Sequence, residues 1–465
     1  NNLNKCIDLK PNHVAAYYNF SKVFTELGRL DEAVKFYEKA IELKPDYEKA
    51  YSNLLLILNY INLYDCNHLV SLARKFGYIA SKKVKIFFSN YKCNLSAKKL
   101  RIGLVSGDFR NHPVGYFLEG TLSKIDSSNI ELFAYSTNFE NDDLTNRIKS
   151  YFSSWTNLYN KNDEDAAKQI FNDGINILVD LSGHTAKNRL SLFAWKPAPV
   201  QVSWLGYFAT TGLKEMDYLI GDPYVTPAGN DNFYTEKIWT LPETRMCFTP
   251  PPIAIKVSEL PALKNGYITF GCFNNLLKIN DEVISLWSKV LKTIPRSKIF
   301  FKTKKLKEMF TKKKFIKKFS SFGISKERII IEEHESRKKY LRAYNKVDIA
   351  LDPFPFTGGT ISIEALWMGV PLLTLAGKSF VSRQGLEILM NIGLKEWIAH
   401  DQEDYLLKAT NFVNHIKNLA LLRANLRKQV LTSSLCDTGK FAKNLEKAFW
   451  AMWHESKKIS HNIIK

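Results

Sequence analysis

The apolar positions between residues 99 and 222 come in short runs rich in β-branched residues, separated by longer amphipathic stretches. The runs "KLRIGLVSGDF", "IELFAYST", "INILVDLSG", "PVQVSWLGYF" and "MDYLIGD" are typical of buried strands. Segments such as "DEDAAKQIFNDG" lie between them and have helical spacing. Strands that alternate with helices in this way predict a parallel sheet with helices on both faces.

The alternation starts again after a proline-rich stretch, "CFTPPPIAIKVSELPALKNG". The second set of strand-like runs is "YITFGCFN", "SKIFFKTK", "RIIIEE", "VDIALDPF" and "PLLTLAG". Two such sets predict an α/β protein with two Rossmann-like lobes and a cleft between them. Because ligands of open α/β sheets bind beyond the carboxyl ends of the strands, the residues that follow the strands are the candidates for a site.

The first 60 residues have a different period. The heptapeptide "KCIDLKP" returns as "KAIELKP" 34 residues later, and Gly28 stands where one helix must turn into the next. This pattern resembles a tetratricopeptide repeat (TPR), an array that presents a groove for extended peptides. One complete repeat cannot bury a solenoid core, and the chain does not start with Met, so we expect further repeats upstream of Asn1. A purely structural role, or homo-oligomerisation through the repeats, fits the pattern equally well.

These patterns divide the chain into six segments. They are a TPR segment (1–60), a helical linker (61–97), an N-terminal Rossmann-like lobe (98–245), an inter-lobe connection (246–266), a C-terminal Rossmann-like lobe (267–435) and a C-terminal helix (436–465). No apolar run approaches the roughly 18 residues of a membrane span, and no signal sequence opens the chain.

Composition narrows the class of protein further. Six scattered cysteines without a C-x-x-C pair predict free thiols in a reducing cytoplasm, rather than zinc sites or disulfides. The net charge is +20, and the densest basic run extends from Lys302 to Phe319. We interpret this run as a core helix with a lysine-rich solvated face, and expect no nucleic-acid partner. The apolar residues that fall near helical spacing there are Leu306, Met309, Phe310, Phe315, Ile316 and Phe319.

The stretch "DPFPFTGGTISIEALWMGVP" follows the apolar strand "VDIAL". Gly358, Gly359 and Thr360 leave this strand and open a helix, where free backbone N–H groups and the helix dipole favour an anion. Glu364, one turn further on, could accept hydrogen bonds from a ribose diol. The arrangement suits a nucleoside diphosphate, and the alternative is a tight turn with a helix-stabilising Glu. A P-loop is excluded, because "LAGKSF" has Leu372 where the earlier glycine should stand.

Other polar residues follow strands of the two predicted sheets. Lys278, in "FNNLLKIN", could neutralise a diphosphate leaving group. His112 and His184 follow strands of the first lobe, although a lone histidine is usually structural. Arg337 and Tyr340 lie just upstream of the glycine turn, where the tyrosine could stack on a base.

Several motifs in ordered spacing resemble one family, the TPR-containing protein O-glycosyltransferases, which comprise O-GlcNAc transferase, plant SPINDLY and bacterial relatives. The motifs are "LRIGLVSGDFRNHPVGYFLEG", "DLSGHTAKNRL", "WKPAPVQVSWLGY", "GCFNNLLKI" and "LDPFPF..GGT...EALWMGVPLLTLAG". The resemblance implies a GT-B fold, with the acceptor on the N-terminal lobe and the nucleotide sugar on the C-terminal lobe. It also implies inverting, metal-independent transfer of a sugar to Ser or Thr of proteins that bind through the TPR groove.

The resemblance assigns roles residue by residue. His112 resembles the active-site histidine that faces sugar and acceptor, and Lys278 the diphosphate-binding lysine. The other expected donor-binding residues are Asn275, Arg337, Tyr340, Gly359, Thr360 and Glu364.

The resemblance leaves the donor open. UDP-GlcNAc is favoured by His112-Pro113 and by Ser382-Arg383, which look like the GlcNAc branch. Glu364 and "FNNL.KI" resemble the corresponding positions of SPINDLY, which looks like an enzyme that uses GDP-fucose as its donor. A glycosyltransferase for small acceptors and a non-catalytic scaffold are the remaining alternatives.

Overall fold

A computed structural model describes residues 10–62, 64–94, 96–333 and 335–463, with side chains up to residue 458. Residues 1–9, which hold the first copy of the repeated heptapeptide up to Leu9, lie outside the described residues. The chain divides into two compact units. The first unit is Asn1–Thr249 with Thr438–Lys465, and the second is Pro250–Asp437.

The first unit starts with consecutive helices that are joined by short turns and pack against each other, as the 34-residue period predicts. Small residues such as Ala33, Ala40 and Ala50 are fully buried where the helices meet, and Gly28 makes the turn with a positive φ of 70°. The four helices are α1 (Val14–Glu26), α2 (Leu30–Leu43), α3 (Glu48–Leu58) and α4 (Cys66–Lys82).

The sheet of the first unit is entirely parallel, with strand order β3-β2-β1-β4-β5-β6-β7. Its inner strands β1, β4, β5 and β6 are buried on both faces except at Arg101, as parallel strands under helices require, whereas the edge strands β3 and β7 are partly exposed. The elements are β1 (Leu100–Ser106), α5 (Pro113–Leu122), β2 (Ile130–Ser136), α6 (Asp143–Lys149), β3 (Ser154–Asn157), α7 (Asp163–Asn172), β4 (Ile177–Asp180), α8 (Leu190–Phe193), β5 (Val200–Ser203), β6 (Tyr218–Gly221) and β7 (Lys237–Thr240).

Helices from both ends of the chain complete the cores of the first unit. Tyr51 and Leu55 of α3 and Phe76 of α4 belong to the same buried cluster as residues of β1 and β4. The opposite cluster includes Phe449 and Trp453 of the last helix, α17 (Thr438–Ile463). Helices α3 and α4 and the C-terminal helix are therefore part of the core of this unit.

The second unit repeats the topology, with a parallel sheet of order β10-β9-β8-β11-β12-β13. Its elements are α9 (Pro261–Asn265), β8 (Thr269–Cys272), α10 (Asp281–Thr293), β9 (Lys298–Lys302), α11 (Met309–Ser321), β10 (Ile329–Glu332), α12 (Arg337–Arg342), β11 (Ile349–Leu351), α13 (Thr360–Trp367), β12 (Leu372–Leu375), α14 (Gln384–Asn391), β13 (Ile398–Ala399), α15 (Gln402–Asn414) and α16 (Ile416–Leu431).

Both sheets reverse their strand order beside their first strand. The switch points lie between β1 and β4 in the first unit and between β8 and β11 in the second. These points are where open α/β sheets bind ligands. The α/β prediction with two Rossmann-like sheets and a preceding all-α segment is confirmed. Across the described residues, no helix combines the length and apolar character needed to cross a membrane.

The basic run from Lys302 to Phe319 departs from the sequence interpretation in part. Phe315 and Phe319 of α11 are buried, as predicted for a core helix, and so is Leu306. Met309 and Phe310 are exposed, so the expectation that they belong to the core is wrong. The reason is that, at 100° per residue, Met309 and Phe310 lie on the side of the helix opposite the buried Phe315 and Phe319.

Candidate functional site

Lys278 and the glycine turn meet at the switch point of the second unit. Strands β8 and β11 are neighbours and parallel, so the loops that leave their carboxyl ends are adjacent. The Lys278 Nζ donates a hydrogen bond to the Thr357 carbonyl at 2.9 Å and lies 3.9 Å from the centre of the Phe356 ring. Burial lowers the pKa of Lys278, against the opposing charge of Asp352. The structure therefore brings a partly buried amine to the mouth of α13.

Asp352, the residue after β11, organises the turn. This buried carboxylate accepts hydrogen bonds from the Gly358 amide at 2.7 Å, the Thr374 hydroxyl at 2.8 Å and the Ser362 hydroxyl at 3.3 Å. Burial raises the pKa of Asp352, while these hydrogen bonds and Lys278 oppose the rise. The sequence analysis did not assign Asp352 a role. An acidic residue directly after a fully apolar strand was the signal available.

The two glycines of the turn have different reasons to be there. A Cβ on Gly358 would lie 2.1 Å from Ser362 Oγ and 3.0 Å from Asp352 Oδ1, so no larger residue fits. A Cβ on Gly359 would meet only Gln384 Oε1, at 3.8 Å. Gly358 is thus fixed by packing, whereas the space beside Gly359 is open.

Two backbone amides at the start of α13 are not used as hydrogen-bond donors within the described residues. The Gly359 carbonyl accepts from the amides of Ser362 and Ile363, and the Gly358 amide is taken by Asp352. The amides of Gly359 and Thr360 have no acceptor within the described residues. Spare N–H groups at a helix N-terminus, next to an amine, form a site for an anion.

Glu364 lies one turn into α13 and is fully buried. Its Oε1 pairs with the Arg337 guanidinium, and its Oε2 has no hydrogen-bond partner in the described part of the chain. Burial raises the pKa of Glu364, and the charge of Arg337 opposes this rise. An unpaired buried acceptor is costly unless a ligand completes it.

Tyr340 and Asn275 occupy positions that sequence reasoning did not foresee. The Tyr340 ring is buried edge-on against Phe273, with centroids 5.6 Å apart, and its hydroxyl lies 3.5 Å from the hydroxyl of Tyr344. Asn275 accepts a hydrogen bond from the Leu277 amide at 3.1 Å and so supports the short turn that carries Lys278. Base stacking by Tyr340 and donor binding by Asn275 remain predictions. The neighbouring Asn274 is buried near Gly358, and its Oδ1 has no partner among the described residues.

Ser382 and Arg383 belong to a short turn, Val381–Arg383, that is tied to the glycine turn. The Thr357 hydroxyl donates to the Val381 carbonyl at 2.7 Å and accepts from the Gly385 amide at 3.3 Å. Hydrogen bonds therefore join the two segments on one side of the candidate site.

His112 lies in the first unit, beyond the carboxyl end of β1. It is the N-cap of α5, its Nδ1 lies 3.4 Å from the Val114 amide and 3.5 Å from Asp108 Oδ2, and its side chain is 37% exposed. Burial lowers the pKa of His112, Asp108 opposes this, and Arg110 adds to it. Burial therefore favours the neutral ring. Because Nδ1 accepts from the Val114 amide, the proton of that neutral ring is on Nε2, which has no partner among the described residues. Sequence reasoning had not noticed Asp108.

His184 has a structural role. Its Nδ1 lies 3.1 Å from the hydroxyl of Ser52 in α3, and its Nε2 3.0 Å from the Thr211 carbonyl. The ring is fully buried between the rings of Phe76 and Tyr207. This histidine joins the repeat helices to the first sheet.

A groove of about 640 Å³ runs along the exposed face of α4 in the first unit. Arg74, Lys75 and Tyr78 line it on α4, and Tyr51 and Asn232 line it from other elements. Neither Arg74 nor Lys75 has an ion-pair partner within the described residues.

Comparisons with known proteins identify the family and the fold. The model of glycosyl transferase family 41 matches residues 62–248 and 249–445, and a TPR model matches residues 21–54, which confirms the predicted repeat. A Petunia hybrida protein named probable UDP-N-acetylglucosamine–peptide N-acetylglucosaminyltransferase SPINDLY is 34% identical over 413 residues, 87% of this chain and 44% of that protein. An Arabidopsis thaliana protein with the same enzyme name, SEC, is 30% identical over 77% of this chain and 37% of its own length. The chain thus spans less than half the length of these relatives.

Among solved structures, a Thermobaculum terrenum O-GlcNAc transferase mutant superposes with a TM-score of 0.91 at 35% identity. The match covers 98% of this chain and 87% of that one. It confirms the predicted GT-B fold class. The chain belongs to glycosyl transferase family 41.

Proposed function

We propose that this chain is a protein O-glycosyltransferase that moves a sugar from a nucleotide donor, with UDP-GlcNAc favoured, to Ser or Thr hydroxyls. The observation that carries the proposal is that Lys278 lies at the glycine turn, where the amides of Gly359 and Thr360 have no acceptor among the described residues. Both are at the switch point of the second sheet. Positive charge and aimed N–H dipoles in one place are what a departing diphosphate needs.

The chemistry is an in-line displacement with inversion. The acceptor oxygen forms a bond to the anomeric carbon while the bond from that carbon to the diphosphate oxygen breaks. The electron pair leaves with the diphosphate, where Lys278 and the turn amides stabilise the charge without a metal ion. The acceptor hydroxyl gives up its proton to solvent water as the bond forms. His112, whose Nδ1 accepts from the Val114 amide, donates its Nε2 proton to the acceptor oxygen and so orients it.

The nucleoside is held by residues behind the turn. The unpaired Oε2 of Glu364 would accept from the ribose diol, and Arg337 would keep that carboxylate ionised. Asp352 binds no ligand in this scheme. It positions the Gly358 amide and, through its charge, keeps Lys278 protonated.

The acceptor side is proposed for the first unit. A polypeptide laid along α4 would meet Tyr78 and the two cations of the groove, Arg74 and Lys75. Acceptor binding through the repeats accounts for a repeat domain better than a small-molecule acceptor does. Association of two chains through the repeats remains part of the proposal.

Calorimetric titration of the purified chain with UDP and with GDP tests the donor. Tighter binding of UDP supports UDP-GlcNAc, whereas tighter binding of GDP moves the donor to GDP-fucose, which the Glu364 position also fits. Binding of neither nucleotide would contradict the enzyme proposal and favour a scaffold.

Lys278→Ala tests the leaving-group role in a peptide-library transfer assay read by mass spectrometry. We expect at least a 100-fold loss of transfer, the size typical of a lost electrostatic contact in a transition state. Lys289→Ala, on the exposed face of α10, is the matched control and should transfer like wild type. Transfer should also persist in EDTA. A Lys278→Ala enzyme within about threefold of wild type would refute the assignment.

A further inference from the structure

Helix α11 of the second unit presents a face that the proposed function does not use. We define the outer face of α11 by five residues, which are Met309, Phe310, Lys313, Lys314 and Lys317. All five are exposed, and at 100° per residue they share one side of the helix, opposite the buried Phe315 and Phe319.

The apolar part of this face is unusual for a solvated helix. Phe310 is 77% exposed and Met309 is 66% exposed, and they are neighbours in the same turn. Single exposed apolar residues need no explanation, but a paired phenylalanine and methionine within a lysine cluster point to an interaction site.

The positive charge of this face is not balanced by nearby acidic side chains. Lys313, Lys314 and Lys317 have no ion-pair partner within the described residues, whereas Lys318, toward the buried side, pairs with Asp281 at 2.5 Å. Further lysines precede the helix at residues 304, 305 and 307. Glu308, the acid that directly precedes the helix, accepts a hydrogen bond from the Thr311 hydroxyl at 3.1 Å.

We propose that the outer face of α11 docks on an anionic lipid surface. The lysines would lie at the phosphate and carboxylate headgroups, while Phe310 and Met309 enter the boundary between headgroups and acyl chains. Charge complementarity alone would also fit a nucleic acid. Contacts with nucleic-acid phosphates, however, would leave the apolar Met309 and Phe310 in water. A lipid interface would remove both side chains from water, which is favourable.

The proposed membrane contact is weak and therefore reversible. Three lysines and two apolar side chains make a peripheral attachment, far weaker than an inserted helix. Each lysine near an anionic membrane contributes about fivefold in affinity, and the contribution falls with ionic strength.

Vesicle co-sedimentation of the whole chain tests the proposal. The vesicles are pure phosphatidylcholine and phosphatidylcholine with about 30% phosphatidylserine, a surface charge like that of a cytoplasmic leaflet. We expect binding to the second kind only, weakened by salt. Replacing Lys313, Lys314 and Lys317 by Gln should weaken it on the order of 100-fold, and Phe310→Ser about tenfold.

Leu407→Ser is the matched control, because Leu407 is 69% exposed on α15 of the same unit but lies beside Glu403 and Asp404. It should bind vesicles like wild type. Absence of binding, equal binding to neutral vesicles, or an unchanged Phe310→Ser variant would overturn the proposal. So would a DNA duplex that binds the chain and excludes it from the vesicles. Because all the substituted side chains are exposed, an unchanged circular dichroism spectrum is expected for each variant.

Discussion

Lowering the pH from 7 to 5 is expected to loosen the contact between repeat helix α3 and the first sheet, because His184 makes that contact. The Thr211 carbonyl can only accept, so Nε2 carries the proton and Nδ1 accepts from the Ser52 hydroxyl. Burial lowers the pKa of His184 from 6.5 to about 4. A second proton would put a charge in a fully buried site.

The magnitude follows from the two pKa values of His184. Its folded pKa is depressed, so the stability that it contributes is fully present above about pH 6.5 and is lost as the pH falls toward 4. With 6.5 for the unfolded chain and about 4 for the folded one, linkage gives a loss of about 2 kcal/mol by pH 5.

Asp180, in the same loop, acts in the opposite direction. Burial raises its pKa from 3.8 to about 7, so protonation of Asp180 stabilises the folded state as the pH falls through 7. The wild-type protein alone would therefore conceal the effect of His184. His184→Gln removes it, because glutamine keeps a donor and an acceptor but does not titrate, and Asp180 is the same in both proteins.

Hydrogen exchange of the whole chain, corrected for intrinsic rates at pH 7 and pH 5, measures the effect. Peptides from α3 should lose about 30-fold more protection in wild type than in His184→Gln, which is about 2 kcal/mol. Peptides from α14 in the second unit should change equally in both proteins. Equal losses in α3 would refute the reasoning.

Three further predictions concern the second unit. Gly358→Ala should lower both thermal stability, by about 1–3 kcal/mol, and UDP affinity, because its Cβ would lie 2.1 Å from Ser362 Oγ; Gly359→Ala, whose Cβ would meet no protein atom closely, is the control for thermal stability alone, and equal losses of stability in the two variants would contradict the steric argument. Arg337→Ala leaves the buried Glu364 without its cation, so scanning calorimetry should show a loss of about 3 kcal/mol, partly restored in Arg337→Lys; an unchanged melting temperature would show that the pair contributes nothing. The negative charge of Asp352 raises the pKa of Lys278, so in Asp352→Asn the loss of UDP binding at alkaline pH should move to lower pH in titrations from pH 7 to 9; the same midpoint as wild type would show that the two groups are not coupled.

The elements of the candidate site could be predicted from the sequence because each has a local signature. Gly358, Gly359 and Lys278 follow apolar strands, and the strand order of a Rossmann-like sheet puts the loop after the first strand beside the loop after the fourth. That rule brings Lys278 to the glycine turn, although 79 residues separate Lys278 from Thr357.

The features that the sequence did not predict depend on partners far away in the chain or on which face of a helix is packed. The sequence left the role of His184 open, because its partner Ser52 is 132 residues away and lies on a repeat helix. Met309 and Phe310 are apolar and within the helix, but the sequence does not say which face of α11 packs against the second unit, and the structure buries the opposite face, that of Phe315 and Phe319. Tyr340 was assigned to stacking, and its burial beside Phe273 comes from packing that no local pattern encodes.

The close contact between α4 and the first sheet limits how such proteins can change in length. A Cβ on Gly77 of α4 would lie 1.9 Å from the Gly212 carbonyl oxygen, and Tyr51 and Leu55 of α3 lie in the core of the sheet. Repeats can be gained or lost only from the far end of the array, since the last helix pair is inherited with the lobe it covers. A shortened version that keeps its lobe intact should therefore start before Glu48.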